Sequence, residues 1–145
     1  MFTDKFATRL NSFKSNWKND DKPSINDLIK RASSVNGLTH VDLNFPDHAN
    51  PNIKEIVNFT NDCGLKINGL AMRYYTNPSF KLGAFTNPDR KVRQEAIDLT
   101  KQAIDYLSHA NSNLLTIWLG QDGFDYGFQV DYKKMWDDEI SAIKE

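Results

Sequence analysis

The residues best suited to chemistry fall at four places along the chain. Arg9, Asn11 and Ser12 bring a guanidinium, an amide and a hydroxyl together, groups that pair with substrate hydroxyls or cap a strand end. Asp42 and Asn44 alternate with Val41, Leu43 and Phe45, so two polar side chains stand opposite an apolar face. His48 closes the run Phe45-Pro46-Asp47-His48, where an imidazole beside a carboxylate suits a proton shuttle, although a lone loop histidine can also be merely solvated. His40, in mid-strand, and His109, on a helix, read as structural. The fourth place is Thr116-Ile117-Trp118-Leu119-Gly120-Gln121-Asp122-Gly123, followed by Phe124, Tyr126, Phe128 and Tyr132. Rings beside polar groups suit a carbohydrate, whose C–H face stacks on an aromatic while its hydroxyls need paired donors and acceptors. Between the second and fourth places, a long loop after Arg73-Tyr74-Tyr75 carries Phe80, Leu82 and Phe85 with no obvious core to receive them. Such a loop reads as a lid or binding loop, walling a pocket or reaching a partner subunit. The candidates are therefore His48 for catalysis and Asn11, Asn44, Phe85, Trp118 and Asp122 for substrate binding, with no metal ligand.

The chain lacks a phosphate-cradling glycine loop, a Cys/His zinc spacing and a nucleophile elbow around a serine, which weighs against nucleotide and hydrolase chemistry. Its 18 basic and 19 acidic residues leave a formal charge of -1, so neither nucleic acid nor an anionic membrane is an expected partner. The single cysteine, Cys63, allows no internal disulfide and suits a reducing cytoplasm. The N-terminus has polar residues where a signal peptide needs an apolar core, and no run approaches the ~18 apolar residues of a membrane span. With 145 residues and 39% hydrophobic content, a single domain over 1–145 can bury a real core.

The elements that must position these residues follow from periodicity. Ser24, with Asp27 three residues on, predicts an N-cap ahead of Ile25, Leu28, Ile29, Ala32 and Val35 on one helical face, closed by Gly37. Thr39 to Phe45 alternates as a strand. Asn50-Pro51 predicts the next cap, with Ile53, Ile56, Val57 and Thr60 running to Gly64. Leu65 to Tyr74 reads as a strand, and Asn87-Pro88 as the cap of a long helix with Val92, Ala96, Leu99, Ala103, Tyr106 and Ala110 inward. Leu114 to Leu119 is a short apolar strand, and Trp136, Ile140 and Ile143 mark a last helix from Tyr132. A first strand over Lys5 to Phe13 completes four strand–helix alternations, which predict a parallel α/β sheet. Helix-to-strand links are short, whereas Lys14 to Pro23, Tyr75 to Pro88 and Gly120 to Asp131 are long. Elaboration therefore sits at the C-terminal ends of the strands, the edge where parallel α/β folds place their sites.

The segment Leu114 to Tyr126, with Trp118 leading into a Gly/Asp-rich turn, resembles the fourth-strand signature of the xylose-isomerase-like barrel superfamily, most nearly rhamnose isomerase and related sugar isomerases. The resemblance implies four successive βα units forming the N-terminal half of a (β/α)8 TIM barrel. It implies a metal-dependent aldose–ketose isomerase, homo-oligomeric at full length, acting on a monosaccharide with Mn, Mg or Co. In that setting Trp118 walls the sugar pocket, and Phe45 to His48 occupies the region of a substrate-side histidine. The family's metal ligands lie on strands five to eight, so this chain is expected to be an inactive fragment with no cofactor of its own. A half barrel also leaves its first and fourth strands as unpaired edges, which makes it marginal alone or prone to associate. A sugar epimerase shares the architecture. Two other readings are a complete small doubly wound binding module and an interaction subunit that docks a partner through Phe80, Leu82 and Phe85.

Overall fold

A computed structural model describes residues 5–15, 22–48, 52–120, 124 and 126–145. Four strands form one sheet in the order β1 (Ala7–Arg9), β2 (His40–Phe45), β3 (Lys66–Met72) and β4 (Leu114–Thr116), and every neighbouring pair is parallel. The helices α1 (Ile25–Ser33), α2 (Ile53–Asp62), α3 (Arg90–His109) and α4 (Tyr132–Lys144) follow the strands in turn. The expected α/β alternation of four strand–helix units is present.

Local chemistry explains most boundaries. Ser24 accepts from the Asp27 N–H while the Asp27 carboxylate accepts from the Ser24 N–H, a reciprocal capping box that satisfies two otherwise orphaned donors. Two caps differ from the sequence expectation. Asp89, one residue beyond Asn87-Pro88, caps α3 by accepting from the Lys91 N–H. Asn87 is instead buried, donating to the Gly83 carbonyl and accepting from the Asp89 N–H, so it holds the loop in place of the helix. Asn52 is the cap residue of α2, while Asn50 and Pro51 lie outside the described residues. The first strand is also shorter than expected. Leu10 is fully buried and pulls the chain into a 3-10 turn over Leu10–Phe13, so Asn11 and Ser12 stand just past the strand. Likewise β4 stops at Thr116, three residues before Leu119.

The core lies between the sheet and α1 to α3. Val41, Leu43, Phe45, Leu70 and Met72 face the helices and meet Leu28, Ile29, Ala96, Ala103 and Leu107. Each large apolar side chain buried this way contributes roughly 1.5–3 kcal/mol. The loop after β3 joins this core. Phe80 and Phe85 are buried against the Tyr74 ring, with centroids 5.8 and 5.4 Å away, and only Leu82 of the three loop apolar residues is exposed. The expectation of a loop with no core to enter is corrected: Tyr74, whose hydroxyl lies 2.7 Å from the Thr100 hydroxyl on α3, is the anchor it packs on.

Polar side chains on β2 take the opposite face. A register shift pairs Val41 with Ile67 but Asp42 with Gly69, leaving Asn68 as an extra residue in β3. Freed from the ladder, Asn68 donates through its amide to Asp42 at 2.8 Å, and its carbonyl accepts from the Ser112 hydroxyl. Gly69 lies opposite Leu114, where an added Cβ would come within 2.6 Å of the Leu114 carbonyl oxygen. That close approach is what lets β4 dock on β3.

Candidate functional site at the strand ends

The polar face curves. In a flat sheet β1 and β4 would lie roughly 14 Å apart, three strand spacings. Yet the Arg9 guanidinium, at the end of β1, sits 4.9 Å from the centre of the Trp118 ring, two residues beyond β4. Long side chains span part of the gap and concavity supplies the rest. Trp118 in turn faces Tyr75, with centroids 6.4 Å apart, and the Arg73 guanidinium stacks 4.6 Å from the Tyr75 ring. Gly120, at φ 78°, allows this arrangement: a Cβ there would meet the Tyr75 ring at 2.6 Å.

His48 occupies the end of β2. The chain folds back after the cis Phe45–Pro46 bond, so the His48 N–H donates to the Asn44 carbonyl at 2.8 Å and the Asn44 N–H donates to His48 Nδ1 at 3.1 Å. Nδ1 is therefore an acceptor, and the neutral ring carries its proton on Nε2. The imidazole is 6% exposed. Burial, with the positive charge of Lys14 and then Arg73 outweighing the opposing pull of Asp47, lowers its pKa to about 4. His48 is uncharged at neutral pH. Asp47 itself is exposed and accepts from the Thr76 hydroxyl at 3.3 Å.

Among the described residues, four buried side-chain atoms have no hydrogen-bond partner: Asn11 Oδ1, Asn44 Nδ2, His48 Nε2 and Arg73 Nε. All four belong to residues at the C-terminal ends of β1, β2 and β3. Buried polar groups are ordinarily satisfied, because an unmade bond costs roughly 1–3 kcal/mol. Their concentration at one edge of the sheet leaves unmet hydrogen-bonding capacity there.

Of the sequence candidates, Asn11, Asn44, His48 and Trp118 all come to this edge. Phe85 does not: it is 1% exposed and packed in the core against Tyr74. Asp122 lies outside the described residues. The other two histidines lie elsewhere. His40 Nδ1 is paired with its neighbour Thr39, and His109 is in the last turn of α3. Arg73 was not singled out by pattern, since an arginine at a strand end looks like any solvated charge; only its buried Nε and its stacking on Tyr75 distinguish it. Asn68 is similar, a strand polar residue whose role appears once the register shift is known.

Clefts elsewhere are less specific. One, lined by Pro46, Arg73, Asn77, Gln94, Asp98 and Gln102, runs between the loop after β3 and α3. A wider one opens at the N-terminal ends of the strands around Asn61, Asn68 and Asn113. Only Arg73 links either cleft to the unpartnered atoms.

The fold is thus a parallel α/β half barrel with a polar, aromatic-flanked edge. No family model matches the chain. Xylose isomerase from Thermus thermophilus is 29% identical over 76 residues, covering 52% of this chain and 20% of that protein. Crystal structures of D-psicose 3-epimerase share the fold. That from Clostridium cellulolyticum, solved with D-tagatose, superposes over 97% of this chain with a TM-score of 0.68 at 14% identity. A second, solved in the presence of D-fructose, covers 96% with a TM-score of 0.65 at 13% identity. The chain spans 46% of the length of each epimerase. These likenesses identify the fold as half of a TIM barrel of the xylose-isomerase-like kind.

Proposed function

We propose that this chain carries half of the sugar site of a metal-dependent aldose–ketose isomerase. The observation that supports the reading best is the set of unpartnered buried atoms at the ends of β1 to β3, flanked by the Tyr75 and Trp118 rings. A monosaccharide supplies what that edge lacks: hydroxyl oxygens to pair with amide, imidazole and guanidinium groups, and a C–H face to lie against a ring. His48 donates from Nε2 to a substrate oxygen in this reading. A ring with a pKa of about 4 is a weak base at neutral pH, so its proton serves to orient and polarise more than to exchange.

Isomerases of this kind use a divalent ion as a Lewis acid on the substrate oxygens. Among the described residues no three His, Cys, Asp or Glu side chains come together that could hold such an ion. In the proposal the ion and its ligands belong to the other half of the barrel, as does the homo-oligomeric contact of the whole enzyme.

A sugar epimerase is the second reading, favoured by the fold likeness to D-psicose 3-epimerase. One experiment separates the two. The longest product of the source reading frame that contains this chain is incubated with Mn(II) and a panel of aldoses and ketoses. Metal-dependent aldose–ketose exchange, reduced at least tenfold by Asn44→Ala, is the expected result. Ketose epimers without aldose establish the second reading, and a folded product inert toward every sugar contradicts both.

A further inference from the structure

The unpartnered atoms at the strand ends are not an even mixture. His48 Nε2 carries the ring proton because Nδ1 is engaged by the Asn44 N–H, so it is a donor. Asn44 Nδ2 and Arg73 Nε are donors as well, and only Asn11 Oδ1 accepts. Asn44 is 1% exposed, so neither it nor His48 can rely on bulk water. Three buried donors against one acceptor is an unbalanced demand. A sugar hydroxyl can accept from these donors, but it also brings a proton of its own, and among the buried unpartnered atoms only Asn11 Oδ1 could take one. A carboxylate or phosphate oxygen only accepts, and charge-assisted bonds to it are about twice as strong as neutral ones.

Charge points the same way. Neither Arg9 nor Arg73 has a carboxylate within ion-pair distance among the described residues. Each has its guanidinium carbon over an aromatic ring, 4.9 Å from the Trp118 centroid for Arg9 and 4.6 Å from the Tyr75 centroid for Arg73. The carboxylates of Asp42 and Asp47 accept from neutral groups, the Asn68 amide and the Thr76 hydroxyl, and neither is ion-paired with these arginines. Lys14 adds a third positive charge close enough to act on His48.

We infer that the sugar taken at this edge carries an anionic group, a carboxylate or a phosphate, which is received by Arg73, His48 and Asn44 at the ends of β2 and β3. Asn11 then accepts from a hydroxyl, and the Tyr75 and Trp118 rings flank the sugar. This inference rests on the sugar-site reading above and narrows its substrate class.

The test is calorimetric titration of the 145-residue chain with D-glucose, D-glucuronate, D-glucose 6-phosphate and inorganic phosphate, at low and moderate salt. One or both acidic sugars should bind about tenfold or more tightly than glucose, as expected for one charged hydrogen-bonded contact. Which of the two is preferred tells carboxylate from phosphate. Arg73→Gln should bring the acidic sugars down to the level of glucose, and Arg73→Lys, which keeps the charge without the fork, should restore part of the preference. If Arg73→Gln does not fold, His48→Gln provides the same comparison. Equal affinity for glucose and both acidic sugars overturns this inference and leaves the sugar site standing. Inorganic phosphate binding as tightly as glucose 6-phosphate also overturns it, since the sugar would then contribute nothing. Failure of every sugar to bind removes the sugar-site reading and this inference together.

Discussion

The two wings of the sheet use the same sequence pattern and meet different fates. At the centre, α3 lies over β3 and buries Ala96, Ile97, Thr100, Ala103 and Leu107. At the edge, α4 has Tyr132, Trp136, Ile140 and Ile143 at helical spacing, yet none of its residues is buried and Trp136 is 63% exposed. β4 has a single strand, β3, beside it, and Leu114 in it and Ile117 and Trp118 just after it are exposed. A periodic apolar stripe therefore states which face of a helix seeks cover, and not whether cover is present. In a closed barrel each βα unit is roofed on both sides; here the central units are and the last is not. Exposed apolar faces of this extent mark surfaces that normally meet a partner.

The contrast can be broken or sharpened by substitution. The largest effect is expected at the centre: Leu70→Ala, at a fully buried site, should cost ~2–5 kcal/mol in urea denaturation through lost burial and the cavity left behind. A loss below ~1 kcal/mol would mean the central core is not packed as described.

Next comes acid sensitivity. An unfolded histidine titrates near 6.5, whereas folded His48 titrates at about 4. Between those values the unfolded chain binds the extra proton, so stability is whole above about pH 6.5 and falls as pH drops toward 4, by ~3 kcal/mol in all. His40 is shifted in the same direction by burial, so the comparison must be made with His48→Gln, whose denaturation midpoint should change less between pH 7 and 5 than that of the parent chain. A smaller loss is expected where the wings join. Gly69→Ala should cost ~1–3 kcal/mol by pressing on the Leu114 carbonyl, and it should loosen β4 before the centre, as read by amide exchange at Leu115. Ser24→Ala should cost ~1 kcal/mol by removing the α1 capping box. Smallest of all, Trp136→Ala should change stability by no more than ~0.5 kcal/mol, because the side chain it removes is largely exposed.

Much of the fold was legible because it depends on local period and local chemistry. The Ser24–Asp27 pair, the alternation of β2 and the four strand–helix units follow from neighbours in sequence. Contacts between distant segments were not. Leu10 ends β1 early by burying itself, Asp89 in place of Asn87 caps α3, and Phe80 and Phe85 enter a core that exists only because Tyr74 is anchored to Thr100. The candidate site divides along the same line. Asn11, Asn44, His48 and Trp118 were reachable from their positions at strand ends. Arg73 was not, because its distinction is a buried nitrogen and a ring it stacks on, neither of which sequence spacing reveals. The tautomer of His48 likewise depends on a backbone N–H four residues away that only the fold brings to it.

The measurement that tests the central claim most directly is nuclear magnetic resonance mapping of the isotopically labelled chain titrated with monosaccharides, neutral and acidic. If the strand ends are the sugar site, perturbations will cluster on the side chains of Asn11, Asn44, His48 and Arg73 and on the Trp118 indole, with the His48 ring remaining protonated at Nε2. Perturbations confined to the opposite end of the strands, around Asn61 and Asn113, or to no site at all, would contradict it.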